Sequence, residues 1–306
     1  MHTRFQFLLM QLAAIFSLFS CAPANDKPVA VPPGFDWQGH RGARGLAPEN
    51  SIPAFLKALE FQEVTTLELD LAVSKDSQLI VSHEPWFNAL ICKLPNGDTI
   101  PAAQAESLLL YQMTAEEIRA YDCGTRPHPR FPEQKLQSTH KPTLSEVCDF
   151  VRGKYPERSE QIRWNIEIKS QPGWDGLRHP PVEAFARLVV AELGRLGIRE
   201  RCTVQSFDPR AVEAMHRLDP GITLAFLVEN EAGLDANLKK LSFTPAIYSP
   251  YYKLLDKKVV RKCHELGMKV VPWTVNEVPA MRHLIHLGVD GIITDYPNLI
   301  AQVAGK

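Results

Sequence analysis

From Phe35 onward, runs in which apolar and polar residues alternate give way repeatedly to segments in which apolar residues recur every three or four positions. Alternation places successive side chains on opposite faces of a strand, whereas the longer period marks an amphipathic helix. Strands are predicted over 35–40 and 65–74, with a helix over 49–61 between them in which Ile52, Phe55, Leu56 and Leu59 share a face. A return strand over 78–84 follows a turn at Lys75, Asp76 and Ser77. The rhythm resumes with a helix over 143–155, then strand and helix in turn at 163–170 and 180–197, 202–207 and 208–218, 222–228 and 233–242. It ends with 246–252 and 256–267, 269–275 and 277–288, and 291–296 and 297–304. Without the return strand this gives eight strands, each followed by a helix, the count of an α/β fold of the (β/α)8 TIM type. A doubly wound open sheet is the other arrangement such a pattern allows. No GxGxxG or GxxxxGK[ST] loop supports it, and polar residues gather at strand ends throughout.

Residues from about 85 to 140 interrupt the rhythm with frequent prolines and one short helical stretch near 114–122. A structureless loop of that length is uncommon inside a compact repeat. The segment therefore reads as a small insertion after the second strand region.

The chain has 306 residues, 34 Lys and Arg against 35 Asp and Glu, and 45% hydrophobic residues, which fits one large domain or two small ones. The charge balance leaves no basic excess for nucleic acid. Its first residues combine a short basic region with an apolar run too short and too early for a membrane-spanning helix, ending in Ser20-Cys21. The stretch LFSC resembles the lipobox of bacterial lipoproteins, in which cleavage precedes a cysteine that then carries lipid. Residues 1–20 are thus expected to be a signal peptide, Cys21 the lipidated residue, 21–34 a Pro-rich tether and 35–306 the barrel. Phe19 stands where a smaller residue is usual, and an ordinary secretory signal with an incidental cysteine is the alternative. The expected location is the periplasmic side of a bacterial membrane, reached by a lipid anchor. Because Ala22 rather than Asp follows Cys21, it would be the outer membrane in a Gram-negative cell.

With Cys21 lipidated, five cysteines remain, Cys92, Cys123, Cys148, Cys202 and Cys263, and none has CxxC spacing. An odd number cannot all pair. Export permits disulfides, and Cys92 and Cys123 flank a segment of irregular composition. Their pairing and a set of buried free thiols both remain open.

Active sites of such barrels lie at the C-terminal ends of the strands. Here those ends are polar. The first ends in Gly39-His40-Arg41-Gly42, the second carries Glu68 and Asp70 on one face, and the return strand ends at His83. The next carries Glu167 and Lys169, again two apart, and later ends supply Gln205-Ser206-Phe207, Tyr248-Ser249 and Trp273. Buried carboxylates this close repel unless a positive charge lies between them. Glu68, Asp70 and Glu167 offer oxygen ligands to one divalent cation, calcium favoured over magnesium for an exported protein. Arg41 and Lys169 can hold charge spread over phosphoryl oxygens, and His40 and His83 can exchange protons near neutral pH. This set fits phosphodiester hydrolysis. Taken singly, a histidine at a strand end is most often a surface or satisfied residue, a lone ExD more often a solvated or salt-bridged face, and Lys169 could simply pair with Glu167; their convergence at one end of one barrel carries the inference.

The stretches HRGARGLAPENSIPAF from His40, LELDLAVSKDSQLIVSHEP from Leu67 and WNIEIKS from Trp164 resemble the signature regions of the glycerophosphodiester phosphodiesterase family. The likeness extends more loosely to VQSF, VVPWTVN and GVDGIITDYP. It implies a TIM-type barrel and metal-dependent hydrolysis of a small-molecule glycerophosphodiester to an alcohol and sn-glycerol 3-phosphate. It also implies Glu68, Asp70 and Glu167 as metal ligands, His40 and His83 as the acid/base pair, and Arg41 and Lys169 as phosphate contacts. Gln205 and Trp273 join these as expected substrate contacts. Two positions depart from the family pattern: Glu84 follows His83 where Asp is common, and Ser51 stands where Thr is frequent.

Two other readings stay in view. One is a related barrel phosphodiesterase or phospholipase acting on lysophospholipid or a cell-wall polymer. The pocket wall would discriminate it, and Trp86, Phe87, Phe131, Phe207, Tyr251, Tyr252 and Trp273 are the candidates for that wall. The other is a catalytically silent binding protein of the same fold, expected to lack a ligand or a histidine, whereas none is missing here. The pattern names neither the head group nor the oligomeric state.

Overall fold

The computed structural model describes residues 27–305, so Cys21 and the proposed signal peptide lie outside the described residues. The strands are β1 (Asp36–Gly39), β2 (Thr66–Val73), β3 (Leu79–Val81), β4 (Arg163–Ile168), β5 (Cys202–Ser206), β6 (Thr223–Val228), β7 (Ile247–Pro250), β8 (Lys269–Val270) and β9 (Gly291–Thr294). Eight are parallel, in the order β8-β7-β6-β5-β4-β2-β1-β9, while β3 pairs antiparallel with β2. The two ends of this sheet meet. Asp290 donates to the Val270 carbonyl at 2.9 Å, Ile293 to Pro272 at 3.0 Å and Val275 to Ile293 at 2.9 Å, which curls the sheet into a barrel. Pro272 has no N–H to give toward β9 and Pro250 none to give toward β8, so both ladders of β8 are cut short and the strand is only two residues long.

Alternation sorts the side chains into two environments. Leu67, Leu69 and Leu71 of β2, Ile166 and Ile168 of β4, and Leu224, Phe226 and Val228 of β6 face outward into one continuous core. The helices Leu144–Lys154, Val182–Leu196 and Pro209–Leu218 cover it with their own apolar faces. The first helix runs over Ile52–Ala58, starting later than the sequence pattern suggests. Ser51 caps it, its hydroxyl accepting from the Ala54 N–H at 3.3 Å, so the Ser found in place of Thr keeps the capping oxygen.

Inside the barrel, one half is polar and the other apolar. Asn165 donates to Gln38 at 2.7 Å and to Gln205 at 3.1 Å, and Gln205 donates to Glu68 at 3.1 Å. Ala225, Ile247, Val271 and Ile293 fill the other half. The amide ladder carries the carboxylates above it, and within it Asn165 Oδ1 is buried without a hydrogen-bond partner.

Residues 85–140 form a satellite layer with a core of Phe87, Ile91, Cys92, Ile100, Leu110, Ile118 and Cys123 packed on Ala72 and Ile80. A short helix, Ala115–Arg119, is fixed by a capping box between Thr114 and Glu117. Cys92 and Cys123 form a disulfide, whereas Cys148, Cys202 and Cys263 are buried free thiols. Strand β3 is shorter than the pattern over 78–84, but Ser82 still donates to the Asp70 carbonyl at 2.9 Å, which carries His83 to the level of the β2 carboxylates.

Candidate active site

Pairing of β2 with β4 sets Asp70 directly across from Glu167 and Glu68 across from Asn165. Glu68, Asp70 and Glu167 are all buried, with one oxygen from each lying within 4.8 Å of the others. Such crowding has an electrostatic cost. Burial pushes the Glu68 carboxyl well above its usual range, and the neighbouring Asp70 charge adds to it. Burial also pushes Glu167 up to about 7, with Lys169 opposing and Asp70 reinforcing the shift. At Asp70 burial is outweighed by Arg41, His83 and Lys169, which hold it far below the ordinary value. An all-oxygen, buried, charge-frustrated trio has the donor chemistry that a hard divalent cation requires.

The turn after β1 brings its own groups to this cluster. Arg41 sits at φ 49° and donates its backbone N–H to Glu68 Oε2 at 2.9 Å. Its Nε lies 3.2 Å from Asp70 Oδ2, and its Nη1 donates to Glu49 Oε1 at 2.7 Å. Gly42, at φ 81°, touches the helix so closely that a Cβ there would lie 2.5 Å from the Ala54 carbonyl carbon. Asn50, at φ 51°, donates to Asp70 Oδ2 at 2.8 Å. On the other side Lys169 Nζ lies 2.8 Å from Glu167 Oε1 and 3.8 Å from Asp70 Oδ1.

Both histidines are held by carboxylates through Nδ1. His40 Nδ1 is 2.6 Å from Asp295 Oδ1, which leaves Nε2 4.0 Å from Glu68 Oε2. His83 Nδ1 is 2.9 Å from Glu84 Oε1. Burial lowers the pKa of His40, with Asp295 pulling against it. At His83 burial, Arg41 and Lys169 all act downward. Neutral imidazoles with a fixed tautomer are suited to proton exchange.

A cavity of about 610 Å³ opens over these groups. His40, Arg41, His83, Glu167, Lys169 and Gln205 line its floor and one side; Phe207, Tyr251, Tyr252 and Trp273 line the other. A hollow of about 770 Å³ at the N-terminal end of the barrel is larger. It is the less promising of the two, since the three-carboxylate group is not part of it and its Arg158 is spent on the carbonyls of Leu59, Phe61 and Val64.

A profile of the Glycerophosphoryl diester phosphodiesterase family matches residues 40–299, a span that begins at His40 and includes every residue lining the cavity of about 610 Å³. The chain belongs to this family. A glycerophosphodiester phosphodiesterase of Bacillus altitudinis is 30% identical over 268 residues, 86% of this chain and 96% of its own. A Silicibacter pomeroyi crystal structure bearing the family name has a TM-score of 0.77 at 27% identity, covering 90% of this chain and 94% of that one. An Oleispira antarctica phosphodiesterase, solved with the product sn-glycerol-3-phosphate, has a TM-score of 0.69 at 22% identity, with 90% and 98% covered.

In this glycerophosphoryl diester phosphodiesterase the expected site residues do not all play the same part. Gln205 faces the cavity, but its amide groups are engaged by Glu68 and Asn165, so it orients a carboxylate. Trp273 gives its indole N–H to the Ser249 carbonyl at 3.0 Å and offers the cavity a ring instead. Three aromatic candidates lie elsewhere. Phe87 is stacked on Tyr121 in the insertion core, Trp86 meets Trp174 edge to face, and Phe131 lies under the Arg44 guanidinium. Tyr248 faces the outer core. The sequence pattern had not singled out Asp295, Glu49 or Asn50. Asp295 follows Gly291 and Ile293 at a spacing of two, so strand alternation alone carries it to the inside.

Proposed function

We propose that this protein hydrolyses glycerophosphodiesters to an alcohol and sn-glycerol 3-phosphate, using His40 and His83 as the acid/base pair beside a divalent metal. The observation that carries this reading is the convergence of two carboxylate-held histidines, three buried carboxylates and two cations in one cavity of a family member. Glu68, Asp70 and Glu167 would hold the metal, with calcium the first choice, and when bound it supplies positive charge that polarises the phosphoryl oxygens. Arg41 and Lys169 then stabilise the negative charge that grows on those oxygens. Asp295 keeps a proton on His40 Nδ1, so that Nε2 is the atom that takes or gives a proton at the reacting oxygen. Glu84 does the same for His83. In-line displacement needs a base at the entering oxygen and an acid at the leaving one. Either water or a glycerol hydroxyl can be the nucleophile, and the arrangement of the histidines serves both.

The product complex of the Oleispira antarctica relative supports sn-glycerol 3-phosphate as the retained half. The Cys92–Cys123 disulfide supports export to an oxidising compartment, and anchoring through Cys21 remains part of the proposal. Replacing Cys21 by Ser should then release a soluble exported form. A wild-type protein that fractionates as soluble without detergent would remove the anchor.

Purified protein assayed on glycerophosphocholine, glycerophosphoethanolamine and a lysophospholipid should turn over the first two and lose that activity with chelator. His40→Ala and His83→Ala should each lower turnover by about two to four powers of ten. Full activity after exhaustive chelation, or near-normal turnover in either variant, would remove the corresponding group from the mechanism.

A further inference from the structure

We propose that the preferred leaving alcohol carries a quaternary ammonium group, as choline does, and that Phe207, Tyr251, Trp273 and Glu229 hold it. This rests on the hydrolytic reading above and adds the substrate's other half.

The argument begins with topology. Strands β5, β6 and β7 are neighbours, and the residues directly after them, Phe207, Glu229 and Tyr251, line the cavity together with Trp273 beyond β8. Tyr251 donates its N–H to the Val228 carbonyl at 2.8 Å, which fixes it beside the residue that precedes Glu229. Trp273 meets Phe207 at 5.3 Å and 90°, and Tyr251 at 5.8 Å and 50°. Rings at such steep angles form a corner instead of a stack, so faces remain for a ligand. A trimethylammonium group has no N–H to donate, and ring faces with a carboxylate nearby are the surface that recognises it.

Charge points the same way. In a ring of eight strands β6 lies across from β1, so Glu229 stands opposite the wall that carries Arg41 and Arg44. Glu277, four residues after Trp273, lines the cavity as well. Among the described residues neither of these carboxylates has a side-chain hydrogen bond or ion-pair partner, and both are exposed. Arg41 and Arg44 are paired with Glu49 at 2.7 and 2.5 Å. Unpaired negative charge at Glu229 therefore stands across the cavity from the guanidinium groups, as a zwitterionic glycerophosphocholine would require.

Reach is satisfied too. The ammonium of choline is separated from its ester oxygen by only two carbons, so a cage for it must adjoin the phosphate contacts. Lys169 Nζ lies 5.9 Å from the Phe207 ring centre and is itself paired with Glu167 at 2.8 Å. Tyr252 meets Tyr251 edge to face at 5.1 Å and 69° and adds a ring to the same wall.

The test compares kcat/KM for glycerophosphocholine with that for the glycerophosphodiester of 3,3-dimethylbutan-1-ol, the neutral carbon isostere of choline. Wild-type enzyme should prefer the choline ester by about tenfold, the scale of a partly desolvated cation–π contact. Glu229→Gln and Tyr251→Leu should each shrink that ratio several-fold. A wild-type ratio near one, or a loss that falls equally on both esters in the variants, would overturn the cage and assign this wall to glycerol. Calorimetric titration with choline and with 3,3-dimethylbutan-1-ol separates the two readings. Tighter binding of choline without hydrolysis of any glycerophosphodiester would sustain the cage and remove the hydrolytic reading. Efficient hydrolysis of both esters with no difference in binding would do the reverse.

Discussion

Asp295 Oδ1 lies 2.6 Å from His40 Nδ1, while the other oxygen of Asp295 accepts from Asn276 Nδ2 at 2.7 Å. The carboxylate is thus clamped from one side and clamps the imidazole from the other, which leaves only Nε2 free to face the cavity. Asp295→Asn should lower turnover by about two to four powers of ten, because an amide can stabilise the wrong tautomer. The pH profile gives the sign. Asp295 raises the His40 pKa against the effect of burial, so without its charge the limb governed by His40 should move to lower pH. Unchanged turnover and an unchanged profile would reduce Asp295 to a structural contact.

The carboxylate trio predicts how cation binding and stability depend on pH. Glu167 has its folded-state pKa pushed up to about 7, above its ordinary value, and Glu68 is raised as well. Between the ordinary carboxylate pKa and the raised one, the folded state binds more protons than the unfolded state, so metal-free stability falls as pH rises through that window. A divalent cation replaces those protons and restores what was lost. The rise in melting temperature on adding calcium should therefore be larger at pH 7.5 than at pH 5. Calorimetry in two buffers of different ionisation enthalpy should show proton release. An increment that is equal at the two pH values would mean that the cation binds elsewhere.

The barrel was legible because its strands alternate strongly. Leu67, Leu69 and Leu71 point one way and Glu68 and Asp70 the other, and the same parity in β4 delivers Glu167 and Lys169. Asp295 lay in the same kind of pattern but follows a strand of only four residues, too short for its parity to stand out. Glu49 and Asn50 were absorbed into a predicted helix, since nothing in their residue types announces that Asn50 sits at φ 51°. The aromatics could not be sorted. Phe87 and Phe207 look alike in sequence, and only the existence of a second core under the insertion decides that one is buried and the other lines the cavity.

That second core also predicts what the disulfide does. Cys92 and Cys123 are both buried in it, 31 residues apart, and the layer packs against Ala72 and Ile80. Replacing both by Ala should loosen the insertion more than the barrel, within the usual range of about 2–4 kcal/mol for a lost disulfide. Limited proteolysis should then cut within 85–140 while the remaining chain stays resistant. Because the Leu110 N–H donates to the Pro85 carbonyl at 3.0 Å, loosening should also reach His83 and lower turnover. Protease resistance equal to that of wild type would show that apolar packing alone holds the layer.

Glu84, the departure from the usual Asp, makes the sharpest prediction. Its Oε1 accepts from Asn88 at 3.3 Å and lies 2.9 Å from His83 Nδ1, while its Oε2 is buried with no hydrogen-bond partner. Burial raises its pKa, but the contact with His83 outweighs this and keeps the group ionised, with the charge of buried Lys141 contributing. Glu84 in turn raises the His83 pKa against burial, Arg41 and Lys169. Glu84→Gln removes that upward pull, so the limb governed by His83 should move to lower pH and turnover should fall by about ten- to a hundredfold. Glu84→Asp keeps the charge at a shorter reach and should keep the limb near its wild-type position with a smaller loss. Lys141→Met leaves Glu84 without that buried positive charge, so Glu84 becomes easier to protonate and its hold on His83 should fail at a higher pH than in wild type. If the Gln and Asp variants give the same pH profile, the carboxylate positions the ring by shape alone and its charge has no part in tuning His83.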